Sequence, residues 1–326
     1  MERIVLVTGG AGFIGSHLCE ALLNQGMQVV NLDNFCDNYE PAVKSRNIAG
    51  LVNSPGFHLY KGDIRDSQLL ERIKKNHAIT DLIHLAALAG VRRSISDPLE
   101  YVDVDIKGTV NLLELAAKYK ISRFIFASSS SVYGTSPPPF CETTGADRPI
   151  SPYAAAKRAG ELYCRTYHEL YKIPVACLRF FTVYGPRQRP DMAIHLFTRL
   201  IDQGLEVPVF GTGSSKRDFT YISDIIDGIM RTLFIPLTYD LFNLGSSQVT
   251  SLTDLINIIS CELGKKARIA YHPLQPGDVP ETAADLAHSY QILGYKPQVS
   301  LTEGIKSFVD WYQKQKSNKT LTKQPS

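Results

Sequence analysis

The chain has 326 residues, 44% of them hydrophobic and 21% charged, and its 35 basic and 32 acidic residues leave a formal net charge of +3. That length can bury a sizeable core in one large domain or two closely joined ones, and a balanced charge with no run of one sign argues against a nucleic-acid surface. The opening MERIVLVTGG has too short an apolar run for a signal peptide or a membrane span, so the expected setting is cytoplasmic.

In chain order, short apolar runs alternate with longer amphipathic stretches, the pattern of βαβ units on a parallel sheet. Strands are predicted at 4–8 (IVLVT), 28–33 (QVVNLD), 57–61 (FHLYK), 81–87 (DLIHLAA), 123–128 (RFIFAS) and 175–181 (VACLRFF). Helices are predicted near 13–25, 66–76, 98–119 and 152–171. The fold class that follows is α/β, a doubly wound parallel sheet of Rossmann type with a second, smaller α/β domain. Past Phe181 come a proline-rich loop, a helix at 192–203, the helical ISDIIDGIMRTLF, a strand in YDLFNLG, a helix at 251–263 and one ending near WYQKQK. The organisation expected is a Rossmann domain over 1–181 with about 218–245, a substrate domain over about 182–217 with 246–316, and a disordered tail at 317–326.

The six cysteines (Cys19, Cys36, Cys141, Cys164, Cys177, Cys261) form no CxxC pair and read as reduced thiols. The eight histidines are scattered, and no metal is expected.

TGGAGFIGSH begins at the end of the first strand and holds both Gly10-x-Gly12-x-x-Gly15 and Gly9-x-x-Gly12-x-x-Gly15. Such glycines allow a tight turn, backbone approach to a pyrophosphate and close helix–strand packing, and the next helix points its N-terminal amides at the phosphates. The same glycines also suit a plain turn. Asp33 strengthens the dinucleotide reading: it ends the second strand, where a carboxylate accepts hydrogen bonds from an adenosine ribose and repels a 2′-phosphate. With no arginine neighbouring Asp33, NAD is favoured over NADP. GDIRD after the third strand puts Asp63 and Ile64 beside the adenine, and LAAL brings Leu85, Ala86 and Ala87 over the cofactor.

Ser151 is a good helix N-cap and Pro152 a good first helical residue, so in SPYAAAK Tyr153 and Lys157 share one helical face. An ordinary tyrosine ionises near ~10; a nearby ammonium favours the phenolate and turns a weak acid into a usable base. SSSSVYG (128–134) sets hydroxyls at the carboxyl edge of the sheet, where open α/β folds hold ligands.

Together, in this order, these motifs resemble the extended short-chain dehydrogenase/reductase family over nearly the whole chain. The resemblance implies that Tyr153 is the acid/base, that Lys157 binds the nicotinamide ribose while lowering the tyrosine pKa, and that Ser129 hydrogen-bonds the reacting oxygen. It also implies an NAD site made of Gly9, Gly12, Phe13, Ile14 and Gly15, then Asp33 and Asn34, Asp63 and Ile64, Leu85 to Ala87, and Phe180, with Tyr153 and Lys157. One departure is Asp105, where many members have Asn before the Ile106-x-Gly108-Thr109 stretch.

Dehydrating members carry an Asp-Glu pair before the equivalent of Val132, and decarboxylating ones typically a Glu; here Ser130 and Ser131 stand there. What remains is reversible hydride transfer with one base, the minimal equipment of an epimerase that oxidises C4 of a sugar to a ketone and reduces it on the other face. RFFTVYGPRQRPDM resembles the motif of UDP-glucuronate 4-epimerases, in which Thr182 and Arg189 correspond to residues facing the sugar carboxylate. A guanidinium fork and a hydroxyl fixing that carboxylate would suppress its loss from the β-keto acid. The resemblance further implies Ser130 and Ser131 beside the substrate, Arg217 on the diphosphate, Phe210 against the uracil and Asp278 on the uridine ribose. Gln275 stands where a second diphosphate arginine is frequent in UDP-glucose epimerases. Homodimerisation through the helices near 98–119 and 152–171 is also implied. A neutral UDP-sugar epimerase and a non-catalytic NAD-binding regulator stay open as alternatives.

Overall fold

A computed structural model describes residues 3–275 and 277–321. In chain order its elements are β1 (Ile4–Thr8), α1 (Phe13–Asn24), β2 (Gln28–Asp33), α2 (Pro41–Ile48), β3 (Phe57–Lys61), α3 (Ser67–Asn76), β4 (Asp81–His84), α4 (Val91–Ser96), α5 (Pro98–Tyr101) and α6 (Gly108–Lys118). Then follow β5 (Arg123–Ser129), α7 (Pro152–Tyr171), β6 (Val175–Phe180), β7 (Thr182–Tyr184), α8 (Ala193–Asp202), β8 (Glu206–Phe210), β9 (Lys216–Tyr221) and α9 (Ile222–Thr232). The chain ends with β10 (Tyr239–Leu244), β11 (Val249–Ser251), α10 (Leu252–Leu263), β12 (Arg268–His272), α11 (Ala287–Leu293) and α12 (Leu301–Leu321).

The main sheet is parallel, in the order β10-β6-β5-β4-β1-β2-β3. Helices cover both faces, so its central strands are buried almost throughout and read in the sequence as mostly apolar runs rather than alternating ones. Strand order reverses between β1 and β4, and there the crevice at the carboxyl ends opens, as it does in doubly wound sheets. Two clusters of buried side chains, one on each face, form the cores; Val5, Val7 and Ile83 point to one, Leu6 and Leu82 to the other. A third cluster packs α8, α10 and α12 around β8, and it belongs to a smaller unit that includes the parallel pair β12-β8 and the three-stranded sheet β11-β9-β7.

Three differences from the sequence reading have simple causes. The fourth strand ends at His84, and residues 85–90 run on outside any strand along the crevice. The helix near 98–119 is α5 and α6 joined by a wider π-helical turn at Val102–Lys107, which puts Val104 and Asp105 inward. Helix α12 runs to Leu321, past Lys316, where the sequence suggests that disorder begins; the end of that stretch, 322–326, lies outside the described residues. Among the described residues no helix is long and apolar enough to cross a membrane.

Candidate active site

The crevice is a cavity of about 560 Å³. At its floor is the glycine loop between β1 and α1. Gly9 has φ +76°, and a Cβ there would lie 2.8 Å from the Ala86 amide nitrogen; a Cβ on Gly15 would lie 2.2 Å from the Gly9 carbonyl oxygen. Neither position admits a side chain, and the backbone is left bare toward the cavity. Gly9, Gly12, Phe13, Ile14 and Gly15 line it.

At the end of β2, Asp33 holds this loop. Its Oδ2 accepts from the Ala11 amide at 3.0 Å and its Oδ1 from the Phe35 amide at 2.8 Å. Asp33, Asn34, Asp63 and Ile64 line the same end of the cavity. The Asp63 carboxylate is taken by Arg65, whose Nε and Nη2 each donate at 2.9 Å, and this pairing holds its pKa down near about 2. Leu85, Ala86 and Ala87, after β4, form the opposite wall, and Phe180 ends β6 beside it.

Over this wall stands α7. Ser151 caps it, its Oγ accepting from the Ala154 amide at 3.1 Å, with Pro152 in the first turn. Tyr153 and Lys157 both face the cavity, as their spacing requires. Lys157 donates through Nζ to the Ala127 carbonyl at 2.9 Å, above the Phe126 ring at 5.1 Å, and its Nζ is 6.0 Å from the centre of the Tyr153 ring. Burial lowers the ammonium's pKa, opposed chiefly by Asp105. Burial also raises the Tyr153 phenol above its ordinary value; the Ser129 hydroxyl and the Arg189 charge pull it down, and Asp105 pushes it up. His84, buried between Thr8 and Thr109, is lowered to about 3 by burial and by the Lys157 charge, so it adds no competing cation.

Ser129 closes β5, its Oγ accepting from the Ser131 amide at 3.2 Å at the head of a 3₁₀ turn, Ser130–Tyr133. Ser130, Ser131 and Thr182 line both the main cavity and a second one of about 130 Å³ that also meets Arg217 and Asp278. Arg189 reaches the main cavity from the loop after β7, with its guanidinium fork on Asp191: Nε to Oδ1 at 3.1 Å and Nη2 to Oδ2 at 2.7 Å. Phe210 lines neither cavity. The Arg92 guanidinium covers its ring at 4.5 Å and donates to Asp278 Oδ2 at 3.4 Å.

The sequence reading passed over four residues here. Lys44, buried in α2, lies 3.7 Å from Asp33, and Tyr39 lines the cavity beside it. Arg92 bridges Phe210 and Asp278. Asp105, noted only as a departure, accepts from the Leu88 amide at 2.7 Å through Oδ1, while its buried Oδ2 has no hydrogen-bond partner among the described residues; burial raises its pKa to about 6. Arg92, in AGVRRSI beside LAAL, had a sequence signal in its closeness to a cofactor-wall motif, and Asp105 in its departure from the family's Asn.

Residues 5–245 match the NAD dependent epimerase/dehydratase family. The chain belongs to that family. Within it, the chain is 42% identical to a UDP-glucuronate 4-epimerase of Thermodesulfobacterium geofontis, over 94% of this chain and 95% of that one. Its fold is similar to the crystal structure of a UDP-glucuronic acid 4-epimerase from Bacillus cereus in complex with UDP-glucuronic acid and NAD, with TM-score 0.92 and 37% identity, covering 96% of this chain and 100% of that one. It is also similar to a UDP-glucose 4-epimerase of Thermotoga maritima with UDP-glucose, with TM-score 0.89 and 32% identity over 96% and 99% of the two chains. The crevice of this epimerase/dehydratase-family protein fits a dinucleotide: a side-chain-free loop at a helix N-terminus for phosphates, a carboxylate at the end of β2 for a ribose, and a buried lysine and tyrosine at the far end.

Proposed function

We propose that the protein is an NAD-dependent UDP-glucuronate 4-epimerase, an isomerase that interconverts UDP-glucuronate and UDP-galacturonate. The observation that carries this reading is that Thr182 and Arg189 line the cavity that also holds Ser129, Tyr153 and Lys157. A hydroxyl and a guanidinium so near the acid/base suit a sugar whose C5 bears a carboxylate next to the reacting C4. In this reading the glycine loop, Asp33, Asn34, the 63–64 and 85–87 segments and Phe180 hold the cofactor. When bound, NAD supplies a positively charged ring that takes hydride from C4 and returns it to the other face of the ketone.

Tyr153 takes the C4 hydroxyl proton and gives it back. Ser129 stabilises the phenolate by hydrogen bonding and orients the sugar oxygen. Lys157, anchored on Ala127, presents its remaining protons to the nicotinamide ribose. Arg189 and Thr182 hold the carboxylate near the plane of the transient C4 ketone, the orientation that resists loss of carbon dioxide. Asp191 already occupies the Arg189 fork, so the substrate carboxylate competes with it. Ser130 and Ser131 line the passage to the smaller cavity, where Arg217 takes the diphosphate and Asp278 the uridine ribose, with Phe210 under the uracil once Arg92 has moved aside. The proposed division of the chain gives residues 1–181 with about 218–245 to the cofactor, and about 182–217 with 246–316 to the UDP-sugar.

Exposed apolar side chains on α5, the turn after it and α7, Leu99, Val102, Leu162 and Leu170 among them, support a homodimer through these helices. Cys164 and Cys177, neighbouring free thiols in the core, support a reducing, cytoplasmic setting.

The test is incubation with UDP-glucuronate or UDP-glucose and NAD, with products resolved by NMR, carbon dioxide trapped and free NADH followed at 340 nm. Expected is UDP-galacturonate with neither gas nor free NADH. Arg189→Ala should cost the acidic substrate ten- to a hundredfold, the loss of one charge-assisted bond of about 1.5–3 kcal/mol. Faster turnover of UDP-glucose in the unchanged protein would instead favour the neutral-sugar epimerase. Tyr153→Phe should abolish turnover while NAD still binds; no turnover in the unchanged protein would favour the regulator.

A further inference from the structure

Helix α2 reads as a solvated segment, PAVKSRNI, yet it turns three residues inward: Lys44, Asn47 and Ile48. Asn47 ties the helix to the glycine loop, its Nδ2 donating to the Ala11 carbonyl at 3.2 Å. Lys44 is only 5% exposed and lines the cofactor cavity. Its ammonium lies 3.7 Å from Asp33 Oδ1, donates to Cys36 Sγ at 3.1 Å and sits 5.3 Å from the centre of the Tyr39 ring.

An ammonium has three protons to donate, and burying it costs free energy unless they find acceptors. Among the described residues the one hydrogen-bond acceptor of Lys44 is a sulfur, which accepts weakly; Asp33 Oδ1 is beyond hydrogen-bond distance and already accepts from the Phe35 amide. A buried, under-satisfied cation therefore faces the cavity beside the carboxylate suited to an adenosine ribose.

We propose that Lys44 is a second anchor of the adenosine ribose and a determinant of dinucleotide choice. Asp33 accepts from the 2′-hydroxyl and Lys44 donates to the same oxygen, so the hydroxyl is bracketed by an acceptor and a donor. The discrimination against a 2′-phosphate then rests on the Asp33 charge alone. Lys44 is a cation already in place for that phosphate once the carboxylate is neutralised. This inference rests on the reading of the crevice as a dinucleotide site.

Binding distinguishes the two without any turnover. NAD, its 2′-deoxyadenosine analogue and NADP are titrated calorimetrically into the full chain stripped of nucleotide, unchanged and as Lys44→Met, Lys44→Arg, Asp33→Asn and the Asp33→Asn/Lys44→Met pair. Lys44→Met should bind NAD about ten- to a hundredfold more weakly, as expected for one hydrogen bond to a charged group. It should also lose the preference for NAD over the deoxy analogue, and Lys44→Arg should restore much of both. Asp33→Asn should gain NADP binding by at least tenfold over the unchanged chain, and the double variant should not. Should Lys44→Met prove misfolded by its melting curve, the deoxy analogue on the unchanged chain and the NADP gain in Asp33→Asn still decide. NAD affinity unaltered in a folded Lys44→Met, or no NADP gain in Asp33→Asn, overturns the inference while leaving the cofactor assignment standing. Failure of the unchanged chain to bind NAD at all overturns both.

Discussion

Glu161 on α7 and Arg179 on β6 form the most deeply buried ion pair described, with side chains 0% and 1% exposed. The carboxylate accepts from Arg179 Nε and Nη2, both at 2.8 Å, from the Ser128 hydroxyl at 2.6 Å and from Arg158 Nη1 at 3.0 Å. The guanidinium also lies 4.7 Å from the centre of the Tyr133 ring. Glu161→Leu leaves that cation buried with no counterion, a loss of about 3–5 kcal/mol, a large share of the roughly 5–15 kcal/mol that holds a domain folded. At about 2–4 °C per kcal/mol for a chain of this order of size, the melting temperature should fall by roughly 10 °C. Adding Arg179→Met should recover most of the loss, because an apolar pair of similar volume avoids burying either charge. Urea unfolding with a constant slope provides the free energies. A single variant less than about 1 kcal/mol below the parent, or a double variant no better than the single, would refute the account of this pair. Turnover is a second readout: Ser128 loses its acceptor one residue from Ser129, so kcat should fall even where the protein stays folded.

Asp191→Asn weakens the internal claim on the Arg189 fork, so KM for UDP-glucuronate should fall several-fold with UDP-glucose unaffected; a rise for the acidic sugar would mean that Asp191 orients Arg189 instead of competing. Ser129→Ala removes a hydrogen bond that favours the Tyr153 phenolate, so the alkaline-rising limb of the pH profile of kcat/KM should move to higher pH, and an unmoved limb would exclude Tyr153 as the titrating base. Asp105 binds its proton more tightly folded, near about 6, than unfolded, near the ordinary 3.8. Its burial therefore makes stability fall as pH rises between those values, by up to roughly 3 kcal/mol; Asp105→Asn should lose that slope in denaturant titrations at pH 4 and pH 7, and parallel curves would contradict it.

The main sheet was legible because a parallel strand covered by helices on both faces has no polar side to set up an alternation, and because glycine or a cap marks several of its boundaries. IVLVT before TGG and the Ser151-Pro152 start of α7 are instances. The small sheets were not legible. Strands β7 and β11 have three residues each, and β12 is mostly exposed, too little pattern for a period of two. Within the site, the loop glycines, Asp33, Tyr153 and Lys157 were readable because each is fixed by local spacing from a strand end or helix cap. Lys44 and Arg92 were not, because what matters in them is where a long side chain is sent by partners distant in sequence. The burial of Lys44 depends on how α2 docks on the glycine loop, and the position of Arg92 on contacts with Phe210 and Asp278, the latter 186 residues away.

The same limit applies to the direction of the Lys157 ammonium. Four residues of helix put Lys157 under Tyr153, but the ammonium's direction is decided by the Ala127 carbonyl on β5, a partner 30 residues away. Asp105 then acts on both groups with opposite consequences: its charge opposes the loss of the Lys157 proton and makes the Tyr153 phenolate harder to form. An asparagine at that place would do neither. Ser129 and Arg189 are the groups that favour the phenolate. Both of those groups sit where the sugar is proposed to bind. Burial is the larger cause that raises the Tyr153 phenol, and the groups that oppose it are the same ones proposed to meet the sugar, which would tie proton removal to occupancy of the site.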